Sequence, residues 1–155
     1  MSVVIVRRPV NRLAKLIRTP GGPTTAQALA ECDTRMAGMN AAAAGVLLDL
    51  LSAIHVQGQA LGSAPTDDQI EALYRLNEEV LSISAVAGHI QLGQAALCLC
   101  ELLDGLRARQ AWNDSAVKVH LDGLQLLAGP GGSLGAAEKE AVVSGLRQVV
   151  QRALR

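Results

Sequence analysis

The side chains able to act as nucleophiles, bases or metal ligands are few: His55, His89 and His120, with Cys32, Cys98 and Cys100. An imidazole can accept a phosphoryl group, shuttle a proton or bind a metal, and a thiolate can attack an electrophile. Their neighbours in the sequence give little support to any of these roles. His89 follows Gly88 at an expected helix end, where a histidine can simply interact with terminal carbonyls. No second ligand is spaced to complete a metal site with it. His120 lies in Val-His-Leu-Asp-Gly-Leu, and the Asp122 carboxylate would repel an incoming phosphoryl group, so a surface or half-buried helical position is expected. His55 has no companion motif. No Ser-His-Asp or Cys-His arrangement emerges from spacing, although folding can assemble a triad from distant residues. Cys98 and Cys100 are roughly 200° apart on a helix at ~100° per residue, so they point apart. They read as small core residues of a reduced, cytoplasmic protein, since an odd cysteine count gives neither a disulfide framework nor a zinc spacing. No catalytic residue, cofactor or metal is expected.

The elements that must hold these residues are helices. Alanine and leucine dominate, and half of the 155 residues are hydrophobic, yet Tyr74 and Trp112 are the only aromatic residues. Few segments alternate as a half-buried strand would. Val10–Arg18 is a short amphipathic stretch stopped by Pro20-Gly21-Gly22-Pro23. Thr24-x-x-Gln27 then forms a capping box for a helix reaching about Gly62, which Gly38-Met39-Asn40 could break or kink. Its second half offers Val46, Leu47, Leu50, Leu51 and Ile54 as one apolar face. Thr66-x-x-Gln69 repeats the capping box, with Asp67 and Asp68 placed favourably for the helix dipole. Further helices are predicted over about 67–87, 92–110, 114–128 (capped by Asn113 or Asp114) and from Ser133 to about Leu154. In the last of these, Val142, Val143, Leu146, Val149, Val150 and Leu154 face inward. Gly129-Pro130-Gly131-Gly132 is the clearest loop.

The expected fold is therefore all-α: an antiparallel helical bundle of five to six helices in one domain over 1–155. Within it, 1–23 is a basic N-terminal segment with a short helix and 24–155 is the bundle. Net charge is zero, which gives no reason to expect nucleic acid as a partner. No apolar run approaches the ~20 residues of a membrane span, and Val3–Val6 precedes its arginines rather than following them as in a secretory signal. A soluble protein with no membrane partner is expected. Arg7, Arg8, Arg12, Lys15 and Arg18 either form a solvated lead-in or steer an acidic partner.

The helix beginning near residue 67 has two apolar faces. Leu73, Leu76, Val80, Ile83 and Ala87 form the evident core stripe. Leu81 lies roughly 130° from it, among Ile70, Tyr74, Glu78, Ala85 and Gly88. Either the N-terminal helix buries this second face, or it docks a partner.

Residues 81–102 resemble the histidine phosphotransfer (HPt) family. In that family a His-x-Leu-Lys-Gly run is followed by a small-residue turn and an Ala/Leu-rich helix, here Ala-Gly-His-Ile-Gln-Leu-Gly-Gln-Ala-Ala-Leu-Cys-Leu-Cys-Glu-Leu (87–102). The register puts Leu81 where the phospho-accepting histidine belongs, with Ile83, Ser84 and Ala85 at the later positions. Ser84 replaces the usual basic residue. The run around His120 echoes the same motif one residue short. More broadly, Asn-Arg-Leu-Ala-Lys-Leu-Ile-Arg-Thr-Pro-Gly-Gly (11–22), Leu-Cys-Glu-Leu-Leu-Asp-Gly-Leu (99–106) and Val-His-Leu-Asp-Gly-Leu-Gln-Leu-Leu (119–127) resemble the small CheE proteins encoded with bacterial chemotaxis genes. The resemblance implies an HPt-like four-helix core and a non-enzymatic role in two-component signalling. A response-regulator receiver domain would bind through Ile70, Tyr74, Glu78, Leu81, Ser82, Ala85 and His89 without phosphate transfer. The alternatives are a true phosphotransfer intermediate using His89 or His120, and a structural homodimer.

Overall fold

A computed structural model describes residues 21–129 and 134–155, and all of its regular structure there is helical. The helices are α1 (Thr25–Ala60), α2 (Asp67–Ser84), α3 (Ile90–Arg109), α4 (Asp114–Ala128) and α5 (Ala136–Ala153). The amphipathic Val10–Arg18 stretch, and Pro130–Ser133 of the glycine-rich loop, lie outside the described residues.

Local chemistry sets most helix starts. Thr24 and Gln27 exchange the expected capping bonds: the Thr24 amide donates to Gln27 Oε1 at 2.8 Å, and the Gln27 amide to Thr24 Oγ1 at 3.2 Å. Thr66 and Gln69 repeat the arrangement at 2.9 and 3.3 Å. Each box satisfies amides that have no partner inside the helix. Asn113 Oδ1 accepts from the Ala116 amide at 3.0 Å, and Glu138 Oε2 from the Gly135 amide at 2.7 Å. Gly38 does not interrupt α1, which runs unbroken for 36 residues. A glycine inside a helix costs only about 1 kcal/mol, less than a break would.

The chain divides within α1 into two units, Met1–Met36 and Ala37–Arg155. In the first, every described residue is exposed, including Leu29 and Met36. The second holds the core. There α3 packs against α2, α4 and α5, and α4 against α5. Leu92, Leu99, Leu102 and Leu103 of α3 are at most 1% exposed, each burial contributing about 1.5–3 kcal/mol. Leu47, Leu51 and Ile54 of α1 join the same cluster. Leu50 is only partly buried and Val46 is exposed, so the buried face of α1 is narrower than its apolar spacing suggests. In α5, Val143, Leu146 and Val150 are buried, while Val142, Val149 and Leu154 pack at the edge.

By length and composition α1 could also cross a membrane. Its most apolar 18-residue window has a mean hydropathy of 1.6, and 22% of that window is buried. The expectation that no segment approaches a span is corrected to that extent: α1 is long and apolar enough by composition. The core helix of a water-soluble bundle passes the same test, so the helix alone assigns no location.

On α2 the buried line is Ile70, Leu73, Asn77, Val80 and Ser84. Leu76, Ile83 and Ala87 of the predicted stripe are only partly buried. The core face is thus rotated toward two polar residues. Asn77 is admitted because Nδ2 donates to the Ala96 carbonyl at 2.6 Å and to Cys100 Sγ at 3.1 Å. Ser84 Oγ donates to the Leu81 carbonyl at 3.0 Å. A buried polar group is tolerated when it finds a partner in this way. Asn77 Oδ1 finds none in the described structure.

Candidate functional site

Residues ascending α2 meet residues descending α3. Glu71 Oε2 pairs with Arg107 at 2.9 Å, and Tyr74 OH donates to Asp104 Oδ2 at 3.3 Å. Asn77 reaches Ala96 and Cys100 as above, and Ser84 lies against Gly93. A Cβ on Gly93 would collide with Ser84 Oγ, so glycine permits the close approach of the two helices there. The turn joining them is a Schellman cap. The His89 amide donates to the Ser84 carbonyl at 2.8 Å and the Gly88 amide to Ala85 at 3.2 Å, while Gly88 takes the left-handed φ of 77°. Only glycine adopts that conformation without steric cost.

This scaffold separates the seven residues expected to form a contact face. Glu78, Ser82 and Ala85 are exposed; Tyr74, Leu81 and His89 are half-buried. Ile70 is corrected: at 7% exposure it belongs to the core and leaves the strip. Tyr74 and Leu81 pack their inner edges on the core. The second face of α2 is therefore neither fully covered nor fully open. Val86, Ile90 and Leu97, which sequence reasoning did not single out, are 45%, 63% and 47% exposed on the turn and on α3. A signal for the last two was available: Ile90 and Leu97 are seven apart and share one helix face, away from the buried Leu92 and Leu99.

The electrostatics around this face hold protons rather than release them. Asp104 beside the Tyr74 hydroxyl, with Cys100 and burial adding to it, raises that phenol above its ordinary value. Burial pushes the Cys100 thiol up, against an opposing hydrogen bond from Asn77. Burial likewise raises Cys98, whose neighbour is Arg147 of α5. The two cysteines do point apart, one toward α2 and one toward α5, as their spacing predicts. Both are poor nucleophiles, because the thiolate is the reactive form. Cys32 is exposed and reduced.

The other histidines build no catalytic constellation in the described structure. His120 was expected at the surface or half-buried, and that is corrected: it is 0% exposed, with Nδ1 against the Ala116 carbonyl at 2.8 Å. Nε2 is buried with no hydrogen-bond partner in the described structure. Burial lowers its pKa below 6.5. Sequence reasoning missed this by weighing the neighbouring Asp122 carboxylate over the helical spacing, which puts His120 on the buried face of Val117, Leu121 and Leu124. His55 Nε2 lies 3.0 Å from Gln59 Nε2, at an open hollow shared with Lys118 and Asp122. Lys118 is paired with Asp114 at 2.9 Å. Among the described residues no group of three or more His, Cys, Asp or Glu side chains could hold a metal ion.

A second concavity, of about 410 Å³, lies between the start of α2 and the end of α3 and includes Asp67, Arg107 and Trp112 in its wall. The turn that closes it repeats the Schellman cap, with the Ala111 amide on Leu106 at 3.1 Å and the Gln110 amide on Arg107 at 3.0 Å. Here the left-handed residue is Gln110, at φ 51°. Comparison with known proteins finds no matching family model, no matching curated protein and no matching solved structure.

Proposed function

We propose that this chain is a non-enzymatic signalling protein of the CheE type. In this reading an antiparallel bundle with an HPt-like four-helix core binds a response-regulator receiver domain through α2 and its turn, in the cytoplasm, without accepting phosphate. The observation that carries the reading is Leu81. In the register of the HPt resemblance it stands at the phospho-acceptor position, and it is half-buried between exposed Ser82 and Ala85. Exposed Val86 and Ile90 extend the apolar area past the turn. An apolar centre with a polar rim is the usual build of a protein contact surface, and its energy concentrates in a few central side chains. His120 is poorly suited to be a phospho-acceptor, since a receiver cannot reach a fully buried ring. His89, half-buried beside the same face, keeps the phosphotransfer alternative specific enough to test.

The partner is found by pull-down against the response regulators of the source organism, each with and without phosphorylation. Leu81→Asp is then titrated against the receiver captured. The expected outcome is at least a tenfold loss of affinity, ~1.4 kcal/mol or more, in a mutant whose circular dichroism and unfolding midpoint stay close to the parent's. Unchanged affinity removes this face from the account. Transfer of an acid-labile phosphoryl group to the chain, lost in His89→Gln, replaces binding with phosphotransfer.

A further inference from the structure

We propose that the 410 Å³ cavity between α2 and α3 is a binding site for a zwitterionic small molecule, a free α-amino acid with an aromatic or large aliphatic side chain. The volume falls within the ~300–1,000 Å³ of small-molecule sites. The lining divides by chemistry. Pro65, Ile70, Leu106 and Trp112 give apolar surface, while Asp67 and Arg107 give one charge of each sign. Among the described residues no ion pair joins Asp67 to Arg107, so the two charges stand apart with the cavity beside them. A ligand carrying both an ammonium and a carboxylate satisfies them together. A simple anion or cation would satisfy one and be repelled by the other.

Arg107 is placed to respond to such a ligand. Its NH1 is held by Glu71 Oε2 at 2.9 Å, but Glu71 is shared, since Oε1 also receives Arg75 Nε at 3.2 Å. Turning Arg107 toward a carboxylate therefore leaves Glu71 still paired. The guanidinium fork has further donors for a bidentate grip. One further feature marks the same wall: Gln110 holds a left-handed backbone that glycine would adopt without strain. Retained backbone strain collects where a chain is built to bind.

Trp112 is the only tryptophan, so its indole N–H gives a single resonance in a ¹⁵N-labelled full-length protein. L-phenylalanine and L-leucine are titrated as probes. The controls are phenethylamine, which lacks the carboxylate, 3-phenylpropanoate, which lacks the ammonium, and glycine, which lacks the apolar body. The expected result is a saturable shift of the Trp112 resonance with one or both amino acids, and at least tenfold weaker binding of each control. Asp67→Asn and Arg107→Gln should each weaken binding at least tenfold while keeping the parent's helical content, and Lys118→Gln should change nothing. No saturable shift with either amino acid overturns the proposal. Binding of either singly charged control as tightly as the amino acid also overturns it. If a variant does not fold, the comparison of ligands on the parent protein decides alone.

Discussion

Two turns flank α3, and they solve the same backbone problem with different residues. At the α2–α3 turn the left-handed cap residue is Gly88, whose backbone reaches φ 77° with open space around it. At the α3–α4 turn the same cap falls on Gln110. The first turn is relaxed and leaves Val86 and Ile90 exposed. The second is strained and concave, with Trp112, Asp67 and Arg107 in its wall. One end presents exposed apolar side chains and the other a concavity. The comparison teaches that cap geometry ends a helix in either case, while the choice of residue decides whether strain remains at that position.

The largest test of this contrast is Asn77→Asp, midway between the two ends. Asn77 is 0% exposed and ties α2 to the Ala96 carbonyl. A carboxylate there would lose the donor and bury a charge. We expect about 3–5 kcal/mol of destabilisation by urea unfolding, and loss of ligand effects at both ends together. Loss at one end only would show that the two turns do not depend on a shared α2–α3 contact.

Next come the caps as a pair. Gly88→Ala places a Cβ on a left-handed residue and should cost about 1–2 kcal/mol. Gln110→Gly removes that same penalty and should stabilise by about 0.5–1 kcal/mol, net of the freedom glycine gains when unfolded. Opposite signs in the two unfolding midpoints sustain the contrast. The same sign in both would abolish it.

The smallest effect expected is a pH dependence belonging to neither turn. Burial lowers the pKa of His120 in the folded chain below the ordinary 6.5 of an imidazole, so the unfolded chain binds the proton more readily. The stability that neutral His120 permits is complete above about pH 6.5. It declines as pH falls below that value and levels off beneath the folded pKa. The slope should vanish in His120→Leu, while the pH response of binding at either turn stays unchanged.

Much of the helical layout was legible in the residues. Thr24, Thr66 and Asn113 each announce a helix start, because a cap is a bond across three residues that any chain can form without a tertiary neighbour. The α4 boundaries, Asp114–Ala128, coincide with the expected 114–128. Gly88 announces the end of α2 for a similarly local reason. The end of α3 was expected near 110 and falls at Arg109, but its left-handed cap carried no such sign, since glutamine is unusual there. The apolar face of α2 was read one step off, because Asn77 and Ser84 do not count as hydrophobic. The cavity at Trp112 was not legible at all.

What the sequence determined by itself is the helical class of the described residues and most of their helix starts. These depend on bonds within a turn or two of backbone and on composition. Only the tertiary structure decided that Ile70, Asn77 and His120 are buried, that Leu81 stays half-exposed, and that Asp67, Arg107 and Trp112 share one cavity. Their environments are set by other helices. The side-chain hydrogen bonds between α2 and α3 join residues 19 to 36 positions apart, and a side chain's own neighbours in the chain carry no record of what another helix will place against it.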